Sequence, residues 1–199
     1  MRLAILISGG GRTVGNLQQR IDEGSLAAQI DVVISSRGDV AGVERARKLG
    51  LRTVVVERRG QTTESFSRRI TKVIGEVDLV GMAGFLAFWR IPDEFLGRVI
   101  NIHPALLPDF GGKGMYGHHV HEAVLATGRT ESGCTVHYCD NQYDHGPIIV
   151  QRKVPVLPGD TPDTLAARVF EQECLAYPEA VRMIADGRVR WEAGSIIRT

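Results

Sequence analysis

Asn101 and His103 stand two positions apart in Val99-Ile100-Asn101-Ile102-His103-Pro104-Ala105-Leu106-Leu107-Pro108. A short apolar run that ends at proline reads as a buried strand opening into a loop, because proline cannot extend a sheet ladder. On a strand, residues i and i+2 leave the same face, so a carboxamide and an imidazole are held side by side at the strand's exit. In α/β proteins ligands bind at that edge. Downstream, Asn141-Gln142-Tyr143-Asp144-His145-Gly146-Pro147 offers a carboxylate on a turn that can fold back onto the imidazole. Asparagine, histidine and aspartate without a nucleophilic serine or cysteine suit acyl transfer to an amine that arrives with the substrate. Taken singly, the residues have a plainer reading, with His103 closing a strand and Asp144 serving a Gly-Pro turn.

The elements that must position these groups alternate between strand and helix. Residues 3–7 read as a buried parallel strand running into Ser8-Gly9-Gly10-Gly11-Arg12-Thr13-Val14-Gly15-Asn16, and helical spacing follows at Leu17, Ile21 and Leu26. Strand, glycine loop and helix present backbone N–H groups and the positive helix end to an anion. A tight structural turn accounts for the glycines almost as well. The loop lacks the Gly-Lys-Ser/Thr ending of a P-loop and the third glycine of a dinucleotide fingerprint. Further strands are expected at residues 30–35, 53–56, 78–86, from Val99 onward, at 133–139 and at 147–154. Helices carry apolar stripes at Val43, Ala46 and Leu49, at Phe66, Ile70, Val73 and Ile74, and at Leu165, Val169 and Tyr177. This order predicts an α/β fold, a doubly wound, mostly parallel sheet flanked by helices.

Three local expectations follow. Residues 133–139 alternate like a half-buried strand, with Cys134, Val136 and Tyr138 on one face and His137 on the other. Phe85, Leu86, Phe88 and Trp89 would form an apolar wall. The segment from Pro108 to Gly117 has four glycines and one lysine and reads as a mobile loop, beside a site commonly a lid. Lys113 on it could meet a substrate phosphate or simply face solvent.

The composition narrows the classes. A chain of 199 residues suffices for one α/β domain, and 43% hydrophobic with 24% charged residues is ordinary for a soluble protein. A net charge of +1 without a basic run gives no electrostatic footprint for nucleic acid. The apolar start is too short for a signal peptide and ends in glycines, and no stretch approaches the ~20 apolar residues of a membrane span. A cytoplasmic protein is the expectation. Three cysteines, Cys134, Cys139 and Cys174, lack metal-ligand spacing and read as reduced core thiols. His118, His119 and His121 do not complete a metal set on a helix, where His119 leaves a different face. No metal is expected.

Asn101-Ile102-His103-Pro104-Ala105-Leu106-Leu107-Pro108, followed by Asp144-His145-Gly146-Pro147, resembles the formyltetrahydrofolate-dependent formyltransferases, and the resemblance runs over nearly the whole chain. It implies one domain over residues 1–199, with a Rossmann-like phosphate-binding half at 1–100 and a catalytic, folate-binding half at 101–199. The implied reaction transfers a formyl group from 10-formyltetrahydrofolate, as co-substrate, to the amine of glycinamide ribonucleotide in purine synthesis. Asn101, His103 and Asp144 would be catalytic, Asn101 donating to the growing oxyanion and Asp144 favouring the cationic form of His103.

By the same resemblance, Ser8, Gly9, Gly10, Gly11, Arg12, Thr13 and Asn16 would hold the substrate phosphate, although this loop is two residues longer than the family's. Phe85 and Leu86 would flank the pteridine, and the turn of Asp140, Tyr143 and Asp144 would cover the folate together with Asn101. Glu173 would contact the ribonucleotide. The arginine that meets the folate tail is missing at its place, with Arg58 or Arg59 as substitutes. Small-molecule substrates are the expected partners, without nucleic acid or membrane, and a homodimer stays open. The related alternatives are a formyltetrahydrofolate deformylase and a formyltransferase for another phosphorylated amine. The deformylases usually carry a regulatory domain before the first strand, which is not expected so close to Met1. A nucleotide-binding module without chemistry would leave Asn101, His103 and Asp144 apart.

Overall fold

A computed structural model describes residues 1–192 and 194–198, which fall into two compact units, Met1–Ile100 and Asn101–Thr199.

The first unit is built on parallel strands. β1 (Arg2–Ile7) pairs with β2 (Gln29–Ser35) on one side and β4 (Leu79–Met82) on the other, and β3 (Thr53–Val55) pairs with the far side of β2. Leu3 to Ile7 are at most 1% exposed. A strand covered on both faces reads as a continuous apolar run, which is how this stretch reads in the sequence. The connections are helical: α1 (Arg12–Asp22), α2 (Ala41–Lys48) and α3 (Thr63–Ile74). Helix α3 starts where Thr62 Oγ1 accepts the Ser65 N–H, and it buries Phe66, Ile70 and Ile74. Each such side chain contributes about 2 kcal/mol on burial. Pro92 leads into one 3-10 turn, Asp93–Phe95.

Trp89 departs from the expected wall. It is 2% exposed, donates Nε1–H to Thr71 Oγ1 at 3.2 Å and packs edge-on against Phe95. An indole is large enough to fill core space and its one N–H finds an acceptor there. Leu86, by contrast, is 51% exposed.

Strand β5 (Val99–His103) straddles the two units, and the hydrogen-bonded strand order is β3-β2-β1-β4-β5-β6-β7. The doubly wound, mostly parallel α/β class expected from the sequence is the observed one. The second unit adds α4 (His118–Ala126), an antiparallel pair β6 (Glu131–Tyr138) and β7 (Ile148–Pro155), α5 (Pro162–Ala185) and a hairpin of β8 (Val189–Glu192) and β9 (Ser195–Arg198). Helix α5 opens with a capping box in which Thr161 and Thr164 satisfy each other's N–H groups, with Pro162 inside the first turn. It runs on through Pro178.

β6 is not half-buried: only Glu131 is exposed, and Ser132 to Tyr138 are all buried. Both faces are covered, so the apparent alternation of Cys134, Val136 and Tyr138 with polar neighbours marks hydrogen-bonded polar residues, not a solvated face. Thr135 shows how. Its hydroxyl donates to Ala105 O at 2.7 Å and accepts from the Leu107 N–H and Gln151 Nε2. Those bonds fix the backbone that follows His103.

Candidate active site

The second unit brings Asn101, His103 and Asp144 together. His103 is 3% exposed; its Nδ1 lies 3.3 Å from Asp144 Oδ1 and its Nε2 donates to Phe110 O at 2.8 Å. Each ring nitrogen therefore lies beside an oxygen atom. Asp144 Oδ2 accepts the Gly112 N–H at 2.8 Å, so the carboxylate also ties down the start of the glycine-rich loop. Burial raises the Asp144 pKa, but the bond and charge of His103 and the Gly112 N–H outweigh it. The net direction is below the usual carboxylate value, and Asp144 stays ionised.

His137 completes the group and was not anticipated. Its Nδ1 lies 2.8 Å from Tyr138 O, and a carbonyl only accepts, so Nδ1 carries the proton. Burial pushes the His137 pKa down, which keeps the ring neutral and leaves Nε2 as an acceptor. Asn101 Nδ2 donates to that Nε2 at 3.2 Å and makes a longer contact of 3.4 Å to Asp144 Oδ1. The tautomer of His137 thus fixes which way round the Asn101 amide sits. The β6–β7 register shifts between Val136 and His137. Such irregularities re-aim a side chain, and nothing in the residue pattern announces this one.

The turn after β6 explains the Asp-x-Gly-Pro string. Asp144 has φ 49° and Gly146 φ 115°. Aspartate tolerates the left-handed region, whereas a Cβ on Gly146 would lie 2.2 Å from Tyr138 O, the carbonyl that holds His137. Asp140 Oδ1 accepts the Gln142 N–H at 2.7 Å, and Oδ2 pairs with His145 Nδ1 at 2.5 Å. Tyr143 is 46% exposed. Lys113 is exposed on the loop, and Glu173 is half-buried on α5, where its charge adds to the burial that pushes the Cys134 thiol up to about 12.

The glycine loop belongs to the first unit. Gly11 caps α1 with φ 64°, no side chain caps that helix, and no acidic residue occupies its first turn. The loop rests on α2, where Gly42 N–H donates to Gly9 O at 3.0 Å and Arg45 Nη1 donates to Gly10 O. A Cβ at Gly42 would meet Gly9 O at 2.3 Å. Gly10 and Arg12 are exposed, Thr13 is 7% exposed, and Asn16 Oδ1 is buried without a partner among the described residues. Ser8 is 3% exposed with its hydroxyl engaged inside the fold. Phe85 stacks on Phe66 at 6.3 Å. Arg58 is bound to Gln61 O and Thr63 Oγ1 and lies over Phe66, while Arg59 is exposed. Among the described residues no group of His, Cys, Asp or Glu is placed to hold a metal ion, and no helix is long and apolar enough to cross a membrane.

An asparagine amide, an imidazole and an ionised aspartate thus converge beyond a central strand of a doubly wound α/β fold. Residues 1–181 match the Formyl transferase family, and the chain belongs to it. It is 41% identical over 199 residues to the trifunctional purine biosynthetic protein adenosine-3 of Drosophila pseudoobscura pseudoobscura, covering 95% of this chain and 14% of that protein. It is 35% identical over 198 residues to the phosphoribosylglycinamide formyltransferase of Escherichia coli (strain K12), covering 96% of this chain and 90% of that one. The chain spans 64% of the chloroplastic phosphoribosylglycinamide formyltransferase of Vigna unguiculata. Among solved structures, glycinamide ribonucleotide transformylase 1 from Symbiobacterium toebii superposes with a TM-score of 0.87 at 36% identity, over 100% of this chain and 93% of that one.

Proposed function

We propose that this chain transfers the formyl group of 10-formyltetrahydrofolate to the primary amine of glycinamide ribonucleotide, a step of purine biosynthesis. The observation that carries this reading is the convergence of Asn101, His103 and Asp144, with His137 fixing the Asn101 amide, in a chain of the formyl transferase family. Likeness to relatives named for the same ribonucleotide supports the choice of acceptor.

The chemistry follows from the groups present. The substrate amine attacks the formyl carbon, and the carbonyl π pair moves onto oxygen. The longer of the two Asn101 contacts, at 3.4 Å to Asp144, is the weaker hydrogen bond and the one a developing oxyanion displaces. A fixed donor at that oxygen is worth roughly 10²–10³ in rate. The intermediate collapses with cleavage of the bond to folate N10, which must gain a proton while the attacking nitrogen loses one. His103, with one ring nitrogen beside an ionised Asp144 and the other beside Phe110 O, is the group suited to that exchange.

In the first unit the uncapped start of α1 and residues Gly9, Gly10, Gly11, Arg12, Thr13 and Asn16 are assigned to the ribonucleotide phosphate, and Phe85 and Leu86 to the pteridine. Asp140 and Tyr143 are assigned to the folate, and Glu173 and Lys113 to the ribonucleotide. The test is turnover of 10-formyltetrahydrofolate by the purified protein with and without glycinamide ribonucleotide. Formyl transfer that requires the ribonucleotide is expected. Deformylation without an acceptor, or no turnover with both substrates, overturns the proposal.

A further inference from the structure

Ser8 heads the glycine loop, yet its side chain turns away from the loop's open side. It is 3% exposed. Ser8 Oγ accepts the Leu86 backbone N–H at 2.8 Å and lies 2.6 Å from Ser36 Oγ, beyond the end of β2. The Ser8 N–H donates to Gly84 O at 2.9 Å. Two further backbone bonds run alongside, Ser36 N–H to Ile7 O at 3.0 Å and Ala83 N–H to Leu6 O at 2.9 Å. One residue thus bonds the exits of β1, β2 and β4 to each other. A hydroxyl has one proton and two lone pairs. With Leu86 on one lone pair, a Ser8 proton given to Ser36 leaves none for an anion; where Ser36 gives the proton instead, the Ser8 proton that remains sits on a side chain only 3% exposed.

We infer that Ser8 is a positioning residue and not a phosphate ligand: through Leu86 and Gly84 it fixes the Phe85–Leu86 backbone relative to the glycine loop, and so couples the ribonucleotide and folate subsites of the first unit. The inference rests on the formyl-transfer reading for the identity of those subsites. Physically, an amide deprived of its acceptor turns to find another, and the exit that carries Leu86 turns with it. Because Leu86 presents a side chain that is 51% exposed, that turn alters surface offered to a ligand and leaves the core in place.

The experiment combines amide exchange with kinetics. In the wild-type protein the Leu86 amide exchanges at least about tenfold more slowly than an unbonded amide, as a hydrogen-bonded N–H does. Ser8→Ala abolishes that protection and raises KM for 10-formyltetrahydrofolate and for glycinamide ribonucleotide together, each roughly tenfold, with kcat changed less than about twofold. Ser8→Thr, which keeps the oxygen, restores protection and both KM values.

An unprotected Leu86 amide in the wild type overturns the proposal. So does a Ser8→Ala variant that raises KM for the ribonucleotide alone, since that marks a direct phosphate ligand. A lowered Tm with both KM values unchanged also overturns it, as a merely structural role. Should Ser8→Ala not fold, the wild-type exchange rate and the Ser8→Thr kinetics decide. A wild-type protein with Leu86 protected but without formyl transfer sinks the functional reading, and with it the coupling, while leaving the bond itself standing.

Discussion

Asn101 reads as a donor in the sequence, but its partners were invisible there. The amide has two protons, one held by His137 Nε2 and the other shared loosely with Asp144. If His137 acts only by orienting that amide, the two residues are not independent. His137→Ala is then expected to lower kcat less than Asn101→Ala, which loses roughly 10²–10³. The double variant should fall no further than Asn101→Ala alone, because a residue acting through another contributes nothing once that other is gone. Steady-state kinetics of the three variants checks this; additive losses would give His137 a separate role. Gly146 sits at the same scale. Gly146→Ala forces a side chain to φ 115° and against Tyr138 O, at a cost of roughly 2–4 kcal/mol. Chemical denaturation should register that loss, and kcat should drop as well, since the displaced carbonyl is the one that sets the His137 tautomer.

Helix α4 carries the clearest pH signature. His121 is 4% exposed, its Nδ1 has no partner among the described residues, and its pKa is pushed down to about 4, first by burial and then by the charges of His118 and His103. In the unfolded chain the same ring titrates near 6.5. Between these values the unfolded state holds a proton that the folded state refuses, so stability falls as pH drops from about 6.5 toward 4 and is unaffected by this group above that window. The contribution is on the order of 3 kcal/mol. Denaturation midpoints measured across that range should slope less in His121→Phe than in the wild type, and an identical slope would show that the ring titrates normally. Asp144 acts in the same direction lower down. Its folded pKa lies below the ordinary value of 3.8, so its stabilisation is present above that value and is lost as pH falls through the folded pKa.

For the molecule as a whole, thiol chemistry is a direct probe of packing. Burial holds Cys139 well above its usual pKa and pushes Cys134 up to about 12, while Cys174 is half-buried. A thiolate-selective reagent at about pH 8 should therefore label no more than Cys174 in the native protein and all three cysteines after unfolding. Rapid native labelling of two or more would mean that β6 and the turn after it open readily.

The alternation of strand and helix, the buried β1, the turn residues and the Asn-x-His-Pro and Asp-x-Gly-Pro strings were legible because each depends on local chemistry: periodicity, proline, glycine and the side-chain inventory. Those features determined the fold class and pointed to Asn101, His103 and Asp144, which the second unit brings together. Only tertiary structure decided the rest. A register shift aims His137 at Asn101, cover on both faces turns β6 from half-buried to buried, the core claims Trp89, and hydrogen bonds between strand exits draw the Ser8 hydroxyl inward. Each of these is set by a partner far away along the chain, and the spacing of neighbours along a sequence carries no record of such partners.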